Sequence, residues 1–193
     1  MVTDYLPGQP SPGMRPMGTG LTALPGTQRL LRMAGIRLGM RALDLRCGSG
    51  GVTALLAHVV GSSGSVTGLD TSAESLTLAE RKTEAAGLFW VNFTQASVEE
   101  LPTGQVFDAA VGYLVLFRQP DPVAFLRSAA RQVRAGGVLG FHQVTASPGD
   151  AAGDLARLFR SAGLPEPDLC FESGGRRDPP GQGRRYFAVT RTC

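Results

Sequence analysis

The chain has 193 residues, of which 42% are hydrophobic, and its formal net charge is +3 at pH 7. This length and apolar content suit one domain with a buried core and exclude two large domains. The basic residues are scattered arginines, with Lys82 as the single lysine, a pattern typical of a solvated surface and not of nucleic-acid binding. No apolar stretch is long enough to predict a membrane span. Cys47, Cys170 and Cys193 lack the spacing of metal ligands, which indicates free thiols in a reducing, cytoplasmic compartment and no bound metal.

Taken in chain order, the sequence predicts an irregular arm followed by alternating strands and helices. Residues 1–26 are rich in proline and glycine without periodicity, which predicts an N-terminal arm before a single domain over residues 27–193. A short helix is predicted from Thr27, as its N-cap, to Gly35. The predicted strands are residues 41–45, 65–69, 90–94, 107–112, 138–144, 168–172 and 185–190. The other predicted helices are residues 51–60, 71–87, 121–136 and 150–162. This alternation predicts an α/β fold with a mostly parallel sheet covered on both faces.

Two of these helices begin with side-chain signals. Thr71, with Glu74 three residues later, predicts a capping box. Asp121 followed by Pro122 predicts an N-cap and a first helical residue, and the glycines at 136 and 137 predict the end of that helix.

The most informative stretch is a glycine-rich turn between the first strand and its helix. The apolar run that contains Asp44 leads into Gly48, Ser49 and Gly50, and a helix opens directly after them. Such a turn lets backbone amides and a helix N-terminus approach a ligand closely. A second apolar run ends in Asp70, whose carboxylate could accept hydrogen bonds from two ribose hydroxyls. Dinucleotides and S-adenosylmethionine both fit this pattern, but Thr53 stands where the dinucleotide fingerprint has its third glycine.

Together these motifs resemble the class I S-adenosylmethionine-dependent methyltransferases, over roughly residues 26–145. The motifs that carry the resemblance are Asp44–Gly50, Gly68–Asp70, Val98–Pro102, Phe107–Asp108 and Arg134–Gly137. The resemblance implies a three-layer, Rossmann-like sandwich with a seven-stranded sheet in the order 3-2-1-4-5-7-6, in which strand seven is antiparallel. It also implies methyl transfer from S-adenosylmethionine to a small-molecule acceptor, with S-adenosylhomocysteine as the product.

The resemblance further implies which residues contact the cofactor. They are expected to be Asp44, Arg46, Cys47, Gly48, Ser49 and Gly50 in the loop at the methionine end, Asp70 and Thr71 at the ribose, Ser97 and Val98 beside the adenine, Gly112, Tyr113 and Leu114 under the sulfonium, and Tyr5 folded over the cofactor.

Three features depart from the family's pattern. Arg46 stands where relatives usually have glycine. Its positive charge would repel the sulfonium of the cofactor. Two unit charges about 5 Å apart at an effective dielectric constant near 20 repel by roughly 3 kcal/mol, which lowers affinity about a hundredfold. The arginine avoids this repulsion if it pairs with the cofactor carboxylate or with Asp44. Ser97 replaces an aspartate that would accept from the adenine amino group with charge assistance. The substrate-covering insertion after the fifth strand is shortened, which leaves apolar surface that a second copy of the chain could bury in a homodimer.

His142 and Tyr113 are the candidate catalytic residues. His142 lies near the carboxyl end of the fifth strand, where open α/β sheets place their sites, and is either a general base or a buried core histidine. Tyr113 either donates a hydrogen bond to the substrate or packs against the cofactor. Cys47 lies at a helix N-terminus, but no base is near it in sequence, so we expect no nucleophilic role.

A second function class stays open on the sequence alone. The chain could have lost methyl transfer and act as a cyclase or isomerase in a biosynthetic pathway, or as a non-catalytic binding subunit. Arg46, Ser97 and the shortened cover favour that alternative, whereas Asp44, Gly48, Gly50 and Asp70 favour methyl transfer.

Overall fold

The structure is a computed structural model that describes residues 25–102, 104, 107–145, 151–172 and 184–192. In these ranges most strands are followed by a helix. The strands are β1 (Arg41–Leu45), β2 (Ser65–Asp70), β3 (Val91–Gln95), β4 (Phe107–Tyr113), β5 (Val133–Thr145), β6 (Asp168–Glu172) and β7 (Arg184–Arg191). The helices are α1 (Pro25–Met33), α2 (Gly51–Val60), α3 (Ala73–Ala85), α4 (Pro122–Arg131) and α5 (Ala151–Ser161), with single 3-10 turns at Val98–Glu100 and Leu116–Arg118.

The strands form one sheet in the order β3-β2-β1-β4-β5-β7-β6. The five strands β1 to β5 are parallel to one another, and β7 is antiparallel to both β5 and β6. This confirms the predicted order and the predicted antiparallel seventh strand. Because β1 connects to β2 on one side while β4 lies on its other side, a crevice opens at the carboxyl ends of β1 and β4, where open α/β sheets bind ligands.

Helices cover both faces of the sheet and bury a separate apolar cluster on each face. On one face, α4 and α5 pack Phe125 and Phe159 against Phe141 of β5, and the rings of Phe141 and Phe159 meet edge to face at 5.9 Å. On the other face, α1 and α2 bury Leu30 and Leu56 against the sheet. Within the described ranges, no helix is long and apolar enough to cross a membrane.

Two predicted helix starts are wrong, the first by three residues and the second by one. The first helix begins at Pro25, inside the predicted arm, because proline suits the first helical turn. Thr27 is buried within α1, and its hydroxyl makes no hydrogen bond in the described part of the chain, so it is not the N-cap. The cap of α3 is Ser72, whose Oγ accepts from the Ser75 amide at 3.2 Å, and not Thr71. The cause is Asp70, whose Oδ1 accepts from the Ser72 amide at 2.9 Å and fixes the turn there.

The predicted end of α4 at residues 136–137 is also wrong. The helix ends at Arg131, and Val133 already pairs with Phe107 in the sheet. The glycine pair instead lies within β5, where the pairing with β4 shifts register between Phe107 and Ala109. A Cβ on Gly137 would lie 2.4 Å from Val133 Cγ1, so this irregular part of the strand requires glycine.

Candidate functional site

The loop after β1 has a backbone that favours glycine at three positions. Arg46, Gly48 and Gly50 have φ angles of 61°, 53° and 77°, all in the left-handed region. Glycine adopts this conformation freely, whereas a residue with a Cβ pays about 1 to 2 kcal/mol. The conformation of Arg46 therefore gives a physical reason why glycine would suit this position better than arginine.

Hydrogen bonds attach this loop to β2 and α3. The Cys47 amide donates to the Leu69 carbonyl at 2.7 Å, and the Gly48 amide donates to Asp70 Oδ2 at 2.9 Å. From the other side, Lys82 Nζ donates to the Ser49 carbonyl at 2.6 Å. This role of Lys82 was not predicted, and the one sequence feature that sets this residue apart is that it is the single lysine of the chain.

Gly48 and Gly50 serve different purposes in the loop. A Cβ on Gly50 would lie 2.8 Å from the Ala79 Cβ, so this glycine allows the loop to pack closely against α3. A Cβ on Gly48 would meet no atom of the described residues within 4 Å. The space above Gly48 is therefore open, and a ligand can approach the backbone there.

Asp70 lies at the carboxyl end of β2, directly beside this open space. It is 6% exposed, and each of its carboxylate oxygens accepts one backbone hydrogen bond, from Gly48 and from Ser72. These bonds fix the carboxylate and leave each oxygen further capacity to accept. Thr71 beside it is exposed, and its carbonyl accepts from Gln95 Nε2 at 3.2 Å. The arrangement suits the recognition of a pair of hydroxyl groups.

Asp44 and Cys47 lie beneath the loop and are both buried. Burial raises the pKa of Asp44 to about 7, although Thr53 Oγ1 donates to its Oδ2 at 2.6 Å and partly opposes this effect. Burial, together with the charges of Asp44 and Asp70, raises the pKa of the Cys47 thiol to about 12. The thiol stays protonated at neutral pH, which agrees with the expectation that Cys47 is not a nucleophile.

Two further segments border the crevice. The Ser97 amide donates to Glu100 Oε2 at 2.7 Å, and Val98 beside it is buried. The hydrogen bonds from the Ser97 backbone and side chain lower the pKa of the Glu100 carboxyl. At the end of β4, Leu114 has a φ of 56°, and its amide donates to the His142 carbonyl at 2.8 Å. Because Leu114 is not a glycine, no residue pattern predicts this left-handed turn.

His142 and Tyr113 are neighbours at the ends of β5 and β4. They are direct partners in the sheet register, and their rings lie 4.8 Å apart with an interplanar angle of 55°. His142 is 3% exposed, and its other face stacks on Phe187 at 4.7 Å. Gly26 of α1 lies against the same ring, since a Cβ there would be 3.0 Å from His142 Cε1. Tyr113 is half-buried and is the more accessible of the pair.

Arg46 is exposed and does not pair with Asp44, whose carboxyl is bonded to Thr53. Of the two partners expected for the arginine, this leaves the ligand carboxylate. The sheet brings the other predicted contacts together at the ends of β1, β2 and β4 and in the turn after β3, apart from Tyr5, which lies outside the described residues. Gly112 is also explained by packing, because a Cβ there would lie 2.5 Å from Val115 Cγ1.

Comparison with known proteins is consistent with this geometry. A family model described as a methyltransferase domain matches residues 36–161. The demethylmenaquinone methyltransferase of Staphylococcus aureus is 34% identical over 113 residues, which cover 58% of this chain and 46% of that relative. The chain spans about half or less of the length of the curated relatives that it matches.

Solved structures share the fold. A SAM dependent methyltransferase from Aquifex aeolicus aligns with a TM-score of 0.73 and 18% identity, over 86% of this chain and 89% of that one. The cyclase SpnF aligns with a TM-score of 0.71 and 21% identity, over 86% of this chain and 80% of that one. The fold alone therefore does not distinguish methyl transfer from cyclisation.

Proposed function

The chain belongs to the methyltransferase-domain family, and on that premise we propose that it transfers a methyl group from S-adenosylmethionine to a small-molecule acceptor. The observation that carries the proposal is the junction of the loop with β2, where Gly48 leaves open space and its amide orients the carboxylate of Asp70. An open backbone beside a fixed carboxylate fits a ligand that has a ribose diol at one end and an amino-acid group at the other.

Each part of the crevice has a proposed task. Asp70 accepts from the ribose hydroxyls, Ser97 and Val98 border the adenine, and the loop from Arg46 to Gly50 lies along the methionine end. When bound, S-adenosylmethionine supplies a methyl group on a positively charged sulfur. The residues around it need chiefly to align the acceptor with that group, because alignment is the main requirement of a displacement between two bound reactants.

Tyr113 and His142 are the proposed groups on the acceptor side. Tyr113 orients the acceptor through its hydroxyl, and His142 takes a proton from an acceptor that must lose one. Replacing His142 with glutamine is then expected to lower the transfer rate to such an acceptor while S-adenosylhomocysteine binds as before. Thermal unfolding of the same variant shows whether the substitution acts through the loss of the buried ring instead.

The proposed acceptor is a small apolar molecule. The Staphylococcus aureus relative is named for a quinone substrate, which agrees with a small apolar acceptor. Phe117 and Val144 are exposed near the ends of β4 and β5, where such a molecule, or a second copy of the chain, would find apolar surface. A cytoplasmic location and a role in biosynthesis complete the proposal.

Calorimetric titration tests the proposal. Wild-type protein is expected to bind S-adenosylmethionine and S-adenosylhomocysteine. Asp70→Asn is expected to bind both about tenfold or more weakly, because a charge-assisted hydrogen bond contributes about 1.5 to 3 kcal/mol. Asp168→Asn, at an exposed position at the start of β6, is the matched control and should bind like the wild type. Transfer of an isotopically labelled methyl group to a soluble demethylmenaquinone analogue then examines the chemistry itself.

The second candidate function is a cyclase, an isomerase or a non-catalytic binding subunit. The positive charge of Arg46 at the methionine end favours it, because that charge repels a sulfonium. This alternative predicts that the wild-type protein binds neither S-adenosylmethionine nor S-adenosylhomocysteine, and that Arg46→Gly binds them. Binding by the wild type excludes this reading of Arg46.

A further inference from the structure

Arg46 presents an isolated positive charge at the entrance of the crevice. It follows Leu45, which is fully buried at the end of β1, and its own side chain is exposed. In the part of the chain that the structure describes, Arg46 makes no ion pair or side-chain hydrogen bond. The φ angle of Arg46 is 61°, so its backbone has a left-handed conformation that is strained for any residue other than glycine.

Three backbone amides of the loop donate hydrogen bonds within the protein. The amides of Cys47, Gly48 and Gly50 donate to Leu69, to Asp70 and to the Cys47 carbonyl, at distances between 2.7 and 3.0 Å. Lys82, the other cation beside the loop, donates to the Ser49 carbonyl. Unlike Lys82, Arg46 makes no side-chain hydrogen bond in the described part of the chain, so its guanidinium is the charged donor that stays available to an anionic group at the loop.

The charges of the crevice also define a direction. Asp70 lies at the β2 end, and its carboxylate accepts from hydroxyls and repels anions, whereas Arg46 lies at the end of β1. The α2 N-terminus, which follows the loop, adds partial positive charge on the same side as Arg46. A ligand with a diol at one end and a carboxylate at the other fits this polarity in one orientation only.

From these observations we propose that Arg46 is the specificity-determining residue that binds the carboxylate of the cofactor's amino-acid end and so fixes the direction of the ligand. The inference rests on the proposed function, because it assumes that the crevice binds an adenosyl amino acid. Arg46 forms charge-assisted hydrogen bonds to the carboxylate, and a guanidinium suits that group because its paired N–H donors match two oxygens.

Three ligands and three variants test the role of Arg46 by calorimetry, without any need for turnover. The ligands are S-adenosylmethionine, S-adenosylhomocysteine and 5′-methylthioadenosine, which keeps the nucleoside and the thioether but lacks the amino acid. The variants are Arg46→Ala, Arg46→Lys and the control Arg131→Ala, an exposed arginine at the end of α4. Arg46→Gly serves in place of the alanine variant if that protein unfolds, because glycine prefers the left-handed backbone.

Arg46→Ala is expected to weaken S-adenosylmethionine and S-adenosylhomocysteine by the same factor, about tenfold to a hundredfold, and to leave 5′-methylthioadenosine unchanged. Arg46→Lys should show a smaller loss, and Arg131→Ala none. Equal weakening of all three ligands would mean that the substitution distorts the loop, and would overturn the inference. If Arg46→Ala instead bound S-adenosylmethionine more tightly than the wild type does, and S-adenosylhomocysteine did not gain, the inference would be overturned as well. Arg46 would then face the sulfonium. A wild-type protein that binds none of the ligands overturns the proposed function itself.

Discussion

Replacing Asp44 with asparagine is expected to remove a pH dependence of stability that arises from one buried carboxyl. Asp44 is 1% exposed, and burial raises its pKa from an ordinary value of 3.8 to about 7. The folded state therefore binds a proton that the unfolded state has lost across that interval. Because stability falls with pH wherever the folded state binds more protons, Asp44 lowers the stability of the wild type as the pH rises from about 4 to about 7.

The magnitude follows from the same shift. Each pH unit across which the two states differ by one proton changes the free energy of unfolding by about 1.4 kcal/mol, so the whole interval corresponds to about 4 kcal/mol. Asparagine resembles the neutral carboxyl, and its side-chain oxygen can still accept from Thr53 Oγ1. At about pH 8 the variant should thus be more stable than the wild type by a few kcal/mol, and below about pH 4 the two should be nearly equal.

Urea unfolding at a series of pH values measures this difference. Other groups also titrate, since burial lowers the pKa of His58 and the neighbouring Arg41 and Arg134 hold the pKa of Asp108 down. Subtracting the two unfolding curves cancels these contributions and isolates Asp44. The control Asp168→Asn, at an exposed position, should follow the wild type throughout. If Asp44→Asn keeps the wild-type slope between pH 4 and pH 7, Asp44 ionises normally and the reasoning is refuted.

Three further predictions concern the loop. Arg46→Gly should be more stable than Arg46→Ala by about 1 kcal/mol in urea unfolding, because glycine alone relieves the left-handed backbone, and equal stabilities would contradict the φ angle of 61°. Gly50→Ala should lose at least about 2 kcal/mol of stability, because its Cβ meets Ala79. Gly48→Ala should lose about 1 to 2 kcal/mol of stability. Because the Cβ of that alanine enters the open space, the variant should also lose most of its affinity for S-adenosylhomocysteine. Cys47 should resist alkylation by iodoacetamide in native protein longer than Cys170 does, as followed by mass spectrometry, because burial raises its pKa to about 12; equally fast modification would show that its thiol is accessible.

The sheet and the crevice were predictable because their signals are local in the sequence. A glycine-rich turn after an apolar run, with an acid at the end of the next run, determines the geometry of Gly48 and Asp70 almost alone. The resemblance to a known family then supplied the strand order, including the antiparallel strand β7, that local patterns do not encode.

The errors arise where particular hydrogen bonds, strand pairs or side-chain contacts override the residue pattern of a segment. Thr71 has the residue pattern of a capping box, but the bond from the Ser72 amide to Asp70 moves the cap to Ser72. The glycines at 136 and 137 signal the end of a helix, but pairing of Val133 with Phe107 draws that segment into β5. Likewise, the burial of His142 between Tyr113 and Phe187 depends on three strands meeting, which no spacing in the sequence reveals.

Hydrogen–deuterium exchange with and without S-adenosylhomocysteine tests most directly whether the crevice at the ends of β1, β2 and β4 is the cofactor site. Binding there should slow exchange in peptides that contain the loop from Arg46 to Gly50, the end of β2 at Asp70 and the turn at Ser97 and Val98. The turn of residues 61–64 joins α2 to the start of β2 at the opposite edge of the sheet and provides the internal control. Protection of the three crevice segments with no change in that turn is the predicted result. Unchanged exchange in all three segments at saturating ligand, or protection confined to residues 61–64, would contradict the assignment.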